Sequence, residues 1–253
     1  MYAVTYDANW GTEVDSWTGK YGATIPNKST SRSGYDFAWW TWGTTVPADD
    51  LTVTAQWTPR NDTPYTVKHM QENANDTGYT LFESGTWYGT TEDYTNVVAK
   101  TYSGFKAWVF QNAIISGSGS TVVEVYYDRE IYEIAFDTST WTHVNTISAK
   151  YWATVSRPNN PELSWYTFID WNPGFPSIMP LGGTGLTAIW VANSDTPYVV
   201  NHWYLDVNGN RDDWNKEVEN LTGTTDSEIT PDFVSKDGFN DPANKVTKKI
   251  KWD

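Results

Sequence analysis

Cysteine is absent from the 253-residue chain, which removes disulfides, thiolate nucleophiles and cysteine-held metals together. No run of about 18 apolar residues exists, so no membrane-spanning helix is expected. The start MYAVTYDANW has neither a basic nor an apolar leader region. No signal peptide is therefore read there, and strand-like sequence directly after Met1 suggests a fragment of a longer chain. Basic residues are scarce: 17 Lys and Arg stand against 31 Asp and Glu, for a net charge of −14. Neutralising phosphates requires clustered cations, so nucleic acid and anionic membrane surfaces are poor partners. Acidity of this kind keeps a protein soluble and monomeric. A sustained 3.6-residue apolar period is also missing. Only Pro47–Leu51 and Thr230–Gly238 suggest short helical turns.

What the chain has in quantity is aromatic residues, 16% of the total and 16 of them tryptophan, and it has itself twice. NDTPYTVKH (61–69) returns as SDTPYVVNH (194–202), YDFAWW (35–40) as YTFIDW (166–171), and TAQW ending at Trp57 as TAIW ending at Trp190. The offset grows in order along the chain, from 130 residues (Gly19 to Ala149) to 134 (Gly104 to Gly238). Ordered drift of this kind is the mark of duplication with small insertions. The repeated unit is a pair of modules: A1 at 1–60, B1 at 61–129, A2 at 130–193 and B2 at 194–253. Runs such as AVTYD, STVVEVYYD and YVVNHWYLD read as strands, separated by Pro, Gly, Asn and Asp.

Four A-module stretches carry a likeness: YDANWGT from Tyr6, KYGAT from Lys20, GYDFAWW from Gly34 and AQW from Ala55. They resemble the Listeria–Bacteroides repeat, also called the InlB B-repeat. TPYTVKHMQEN and GSTVVEVYYDR make the B modules similar to MucBP-like, mucin-binding-type repeats. B2 matches at its start and lacks about nine residues before its last strand. The resemblance implies an α+β, β-dominant chain of tandem small β-grasp-like modules in an elongated array. It also implies a secreted or wall-attached bacterial surface protein, without catalysis or cofactor, serving as stalk or adhesion module with glycans or glycoproteins as partners. The alternative is a carbohydrate-binding accessory region of a larger secreted enzyme.

Few residues have the spacing of a chemical site. His69 and His202 fall at equivalent repeat positions, with no second His near either, so they read as structural strand residues rather than metal ligands. Asp49/Asp50 and Asp212/Asp213 lie in polar turn-like segments, not across a cleft as glycoside hydrolysis needs. Asp206, Asn208, Asn210, Asp212 and Glu217 sit at positions 1, 3, 5, 7 and 12 of a calcium-loop spacing. Arg211 stands where such loops require glycine, and Asn-Gly itself signals a hairpin turn. A Lys–Asn crosslink has no sequence signal to select its pair.

The duplication sorts the tryptophans. Trp40/Trp171 and Trp57/Trp190 are matched between copies beside Phe37/Phe168, and are expected in the core. Trp252 pairs with Tyr127 in this reading. The unmatched indoles, among them Trp10, Trp39, Trp42, Trp87 and Trp108, are the candidate ligand-binding residues. Several stand where glycine is expected: Trp10 and Trp39 against the family outline, Trp152 against Gly22, Trp165 against Gly34, Trp141 against Gly11. Bulky side chains are poorly tolerated where a backbone needs positive φ. Three readings remain open. The indoles form a sugar-stacking surface; or local geometry has changed and they cover module joints; or the reading frame uses UGA for glycine, as some bacterial lineages do, and the triplet has been translated as tryptophan. Glycine at positions 39 and 42 would turn the opening run into GYDFAGWTGGTT.

Overall fold

A computed structural model describes the chain except residues 42, 140–141, 212–213 and 252–253. It divides into two compact units, Met1–Glu130 and Ile131–Asp253. In the first unit β1 (Tyr2–Asp7), β2 (Trp17–Gly19), β3 (Tyr35–Trp40) and β4 (Leu51–Pro59) form a sheet in the order β2-β1-β4-β3. Its two central strands are parallel, with Val4 opposite Leu51, and each carries an antiparallel partner outside. β5 (Thr63–Glu72), β6 (Tyr79–Gly89), β7 (Phe105–Ala107) and β8 (Val122–Arg129) repeat the plan as β6-β5-β8-β7. In the second unit β9 (Ile131–Asp137), β10 (Ile147–Lys150), β11 (Tyr166–Asn172) and β12 (Thr184–Ala192) do so again as β10-β9-β12-β11.

The last module departs from this plan. β13 (Thr196–Trp203) pairs antiparallel with β14 (Lys216–Gly223), while β15 (Glu228–Ile229) and β16 (Lys248–Lys249) make a separate small ribbon.

The architecture is all-β, and this overturns the α+β, β-grasp expectation: among the described residues there is no helix, not even a turn of one at Pro47–Leu51 or Thr230–Gly238. Parallel strands need a crossover, which is commonly helical. Here the A1 crossover, residues 20–34, reads KYGATIPNKSTSRSG, and its Pro, Gly, Ser and Thr compete with helical hydrogen bonding. Isolated bridges, Thr24–Thr45 in A1 and Thr154–Ile178 in A2, tie the crossovers to the β3–β4 and β11–β12 connections instead.

Each core lies on one face of its sheet. Val4, Tyr6, Val46 and Val53 centre the A1 core, and Ile134, Met179, Trp171 and Leu186 the A2 core. Tyr65, Val67, Ile115, Val123, Val125 and Tyr127 centre the core of B1. Alternate residues of β8 are buried, as a half-covered strand requires.

Candidate functional site

Three features could carry function: the joint between A and B modules, the tryptophans, and the polar groups of the B modules. The joint is built from backbone and threonine. In the first unit the Gly34 carbonyl accepts hydrogen bonds from the Arg60 amide (2.9 Å) and the Thr91 hydroxyl (2.8 Å). The Thr91 amide in turn donates to the Arg60 carbonyl, and the hydroxyls of Thr63 and Thr91 lie 2.7 Å apart. The second unit repeats every element. The Trp165 carbonyl accepts from the Asn193 amide (2.8 Å) and the Thr225 hydroxyl (2.9 Å), the Thr225 amide donates to Asn193, and Thr196 meets Thr225. All four threonines are buried. Such buried, mutually satisfied polar groups hold one geometry, because each is costly to leave unpaired.

Of the repeat-matched tryptophans Trp171 is buried, Trp40 and Trp190 are partly buried against the A1 and A2 cores, and Trp57 is half-buried beside Phe37. Phe37 contacts Trp40 and Trp57, and Phe168 contacts Trp171 and Trp190, with ring centroids 5.2–5.6 Å apart. The Trp57 indole N–H donates to the Ala8 and Asn9 carbonyls, and that of Trp190 to Thr138, clamping the turn after the first strand of each A module.

The candidate ligand-binding indoles are not assembled into one site. Trp42 lies outside the described residues. Trp87 packs against the B1 core and covers Gly85, where a Cβ would sit 2.6 Å from its ring. Trp108 is half exposed, donates to Asp128 and stands edge-on to Tyr79. Tyr79 also donates to Asp128 (2.6 Å), and this bond with burial pushes its hydroxyl up to about 12. Trp10 and Trp39 are 88% and 61% exposed, Trp39 at the bulge between β3 and β4. Among the described residues, no ring contact joins these indoles to one another.

Among the described residues three tryptophans have positive φ: Trp10 (69°), Trp152 (63°) and Trp165 (64°). Bulky residues pay about 1–2 kcal/mol for that conformation. At two of them the duplicate carries glycine in the same geometry. Gly22 has φ 76° and its amide donates to Val46; the Trp152 amide donates to Met179 at the equivalent place. Gly34 has φ 79°, matching Trp165 within the joint. Trp10 follows Asn9 (φ 46°), and positive φ at both central turn residues is the pattern that favours Asn-Gly.

Histidine and carboxylates serve structure. The Tyr127 hydroxyl accepts the Lys100 amide and shares a hydrogen bond with His69 Nδ1, 2.8 Å away. Burial, helped by the Lys100 charge and opposed by Glu83, lowers the His69 pKa and keeps the ring neutral. His202 instead meets the Glu219 carboxylate at 3.0 Å. Asp206 accepts the amides of Asn208 and Asn210, and these bonds, Asn210's first, lower its pKa. Glu217 lies on β14 opposite His202 and faces Lys236 at 3.6 Å. The candidate calcium positions thus build an Asx-capped hairpin turn; Asp212 lies outside the described residues.

The expected match of Trp252 to Tyr127 lies outside the described residues, which reach the isoleucine before it. In B1 the Glu92 amide donates to the Ile115 carbonyl and the Ile115 amide to Asp93; in B2 Asp226, Ile250 and Ser227 repeat both bonds. A Cβ on Gly89 would meet the Ile115 side chain, and one on Gly223 that of Ile250. Ile250 is therefore the counterpart of Ile115, and position 252, outside the described residues, corresponds by count to Gly117.

No protein-family model matches the chain. It is similar to a protein of Evansella cellulosilytica described as "Putative Gly-rich membrane protein", 20% identical over 190 residues. The match covers 67% of this chain and 21% of that protein, so the chain spans about a fifth of the relative's length. No helix among the described residues is long and apolar enough to cross a membrane, which leaves β-barrels unaddressed.

Proposed function

We propose that the chain is a non-catalytic segment of a bacterial surface or secreted protein, in which each A module is locked to its B module to make a two-module spacer. The observation that carries this reading is the joint, built twice from the same backbone and threonine bonds. A spacer transmits position and load, and a joint closed by buried hydrogen bonds resists bending at that point. The resemblance to InlB B-type and mucin-binding-type repeats supports a surface location, and so does the membrane-protein description of the distant relative.

Pulling single molecules by their ends tests the reading. Each unit should unfold as one event releasing on the order of 45 nm of contour, about 3.4 Å per residue. Separate events of about half that length would overturn it. The exposed indoles Trp10, Trp39 and Trp108 favour the second reading, a carbohydrate-binding accessory region of a larger enzyme. Glycan-array binding lost in Trp10→Ser and Trp39→Ser variants would select it.

A further inference from the structure

We infer that the natural protein carries glycine at positions 10, 152 and 165, each encoded by a UGA codon that its source reads as glycine. Among the described residues, the other non-glycine positions with positive φ are Asn9, Asp76, Glu92, Ser139 and Asp226. Asn and Asp enter that region readily, because a short polar side chain can bond to the local backbone. An indole has no such bond to make, and its Cβ crowds the following carbonyl.

The duplication shows what these places require. Gly22 (φ 76°) and Trp152 (φ 63°) make the same turn. The Gly22 amide donates to the Val46 carbonyl and the Ala23 amide to Lys20; the Trp152 amide donates to Met179 and the Ala153 amide to Lys150. No atom stands within 4 Å of a Cβ built on Gly22, so the place offers a side chain no packing to offset the strain. Trp152 accordingly lies half exposed against Tyr151.

Gly34 (φ 79°) and Trp165 (φ 64°) occupy the module joint, and their carbonyls accept the same pair of donors. A Cβ on Gly34 would lie 2.3 Å from the Gly117 Cα, and one on Gly117 would lie 2.2 Å from the Ser33 carbonyl oxygen. The first unit thus closes its joint on two glycines in backbone contact. By count, tryptophan stands at both places in the second unit, at 165 and 252. Trp10 follows Asn9 in an Asn-Gly type of turn, with its ring in solvent. Beside it Gly11, whose counterpart is Trp141, lies where a Cβ would be 2.5 Å from the Trp57 ring and 2.9 Å from the Ala8 carbonyl.

The matched tryptophans behave in the opposite way. None of Trp40, Trp57, Trp171 and Trp190 has positive φ. Trp171 is buried, Trp40 and Trp190 pack against the A1 and A2 cores, and Trp57 meets Phe37 and donates to Ala8 and Asn9. One population is demanded by packing, and the other sits where the backbone favours glycine. UGG and UGA give this mixture when both are translated as tryptophan. Independent mutation of glycine codons would scatter over several residue types, yet tryptophan alone stands against Gly11, Gly22, Gly34 and Gly117.

Sequencing the gene should find UGA at 10, 152 and 165 and UGG at 40, 57, 171 and 190. Peptide mass spectrometry of the protein isolated from its source should read glycine at the first three. The Trp10→Gly, Trp152→Gly, Trp165→Gly triple variant should melt roughly 5 °C or more above the tryptophan form. UGG at any of the three positions, UGA at any of the four, a tryptophan read in the natural protein at 10, 152 or 165, or a lower melting temperature in the triple variant would overturn the inference.

Discussion

B1 and B2 begin as the same module, and the described residues of B2 stop short of the place where β8 begins in B1. Both open with a Thr-Pro-Tyr strand, both close on a threonine pair, and both seat an isoleucine over a hairpin glycine. In B1 the central strand β8 arrives and the core shuts, burying Val67 and His69 almost completely. In B2 no described strand takes that place, and Val200 and His202 stay partly open. Among the described residues, the B2 hairpin and joint repeat those of B1 with β14 as the one strand beside β13. Local turn chemistry builds these features; burial needs a segment more than 50 positions away, as Val67 and Val123 show.

The sharpest way to break this comparison is to put a charge at the same place in both copies. Val67→Asp would bury an unpaired carboxylate and should cost several kcal/mol, enough to melt B1. Val200→Asp can turn toward water and should cost less than about 1 kcal/mol. Denaturant unfolding followed by amide exchange separates the two, and equal losses would show that B2 is closed in solution by another route.

Arg129 marks the end of β8 and gives the next effect. Its side chain is fully buried, paired with Glu72 and Asp76, and its amide donates to Glu72 (3.0 Å). Arg129→Met would strand the nearly buried Glu72 carboxylate, for a loss of about 3–5 kcal/mol. Unit 2 of the same variant should unfold unchanged, which exchange measured unit by unit would register.

Much of this was legible in the residues. The alternation in β5 and β8, the duplicated Thr-Pro-Tyr starts and the matched Phe37/Phe168 and Trp40/Trp171 pairs are local or periodic signals. The crossovers were not, because parallel strands are commonly joined by a helix, while Pro26 and the Ser/Thr run of A1 prevent one. The equivalence of Ile250 and Ile115 is a matter of packing, since Ile250 fits Gly223 as Ile115 fits Gly89. Trp87 belonged to the core because it faces Tyr65 across the strand pair, a relation its unmatched status concealed. The Trp108, Tyr79 and Asp128 contact joins residues far apart in sequence and carries no motif.

The two histidines extend the contrast to pH. His69 has a lowered folded-state pKa, while its unfolded value is about 6.5. The unfolded chain thus binds the extra proton first, so stability is full above about pH 6.5 and declines as pH falls through the depressed folded value. His69→Gln retains a hydrogen-bonding partner for Tyr127 but has no ring to charge, and should flatten that part of the unit 1 stability profile. A parallel decline in parent and variant would place the pH sensitivity elsewhere.

The smallest effect concerns what the copies share. Thr91→Val removes one buried hydroxyl that bonds Thr63 and the Gly34 carbonyl, and Thr225→Val does the same at Thr196 and Trp165. In each case the carbonyl keeps its backbone donor, Arg60 or Asn193, so the loss should be about 1 kcal/mol. The two losses should agree even though β8 lies beside β5 in one B module and β14 is the one described strand beside β13 in the other. If Thr225→Val costs markedly less, the joint draws rigidity from the closed core behind it. Agreement would mean that the joint is self-sufficient, as a spacer whose stiffness resides at the module boundary requires.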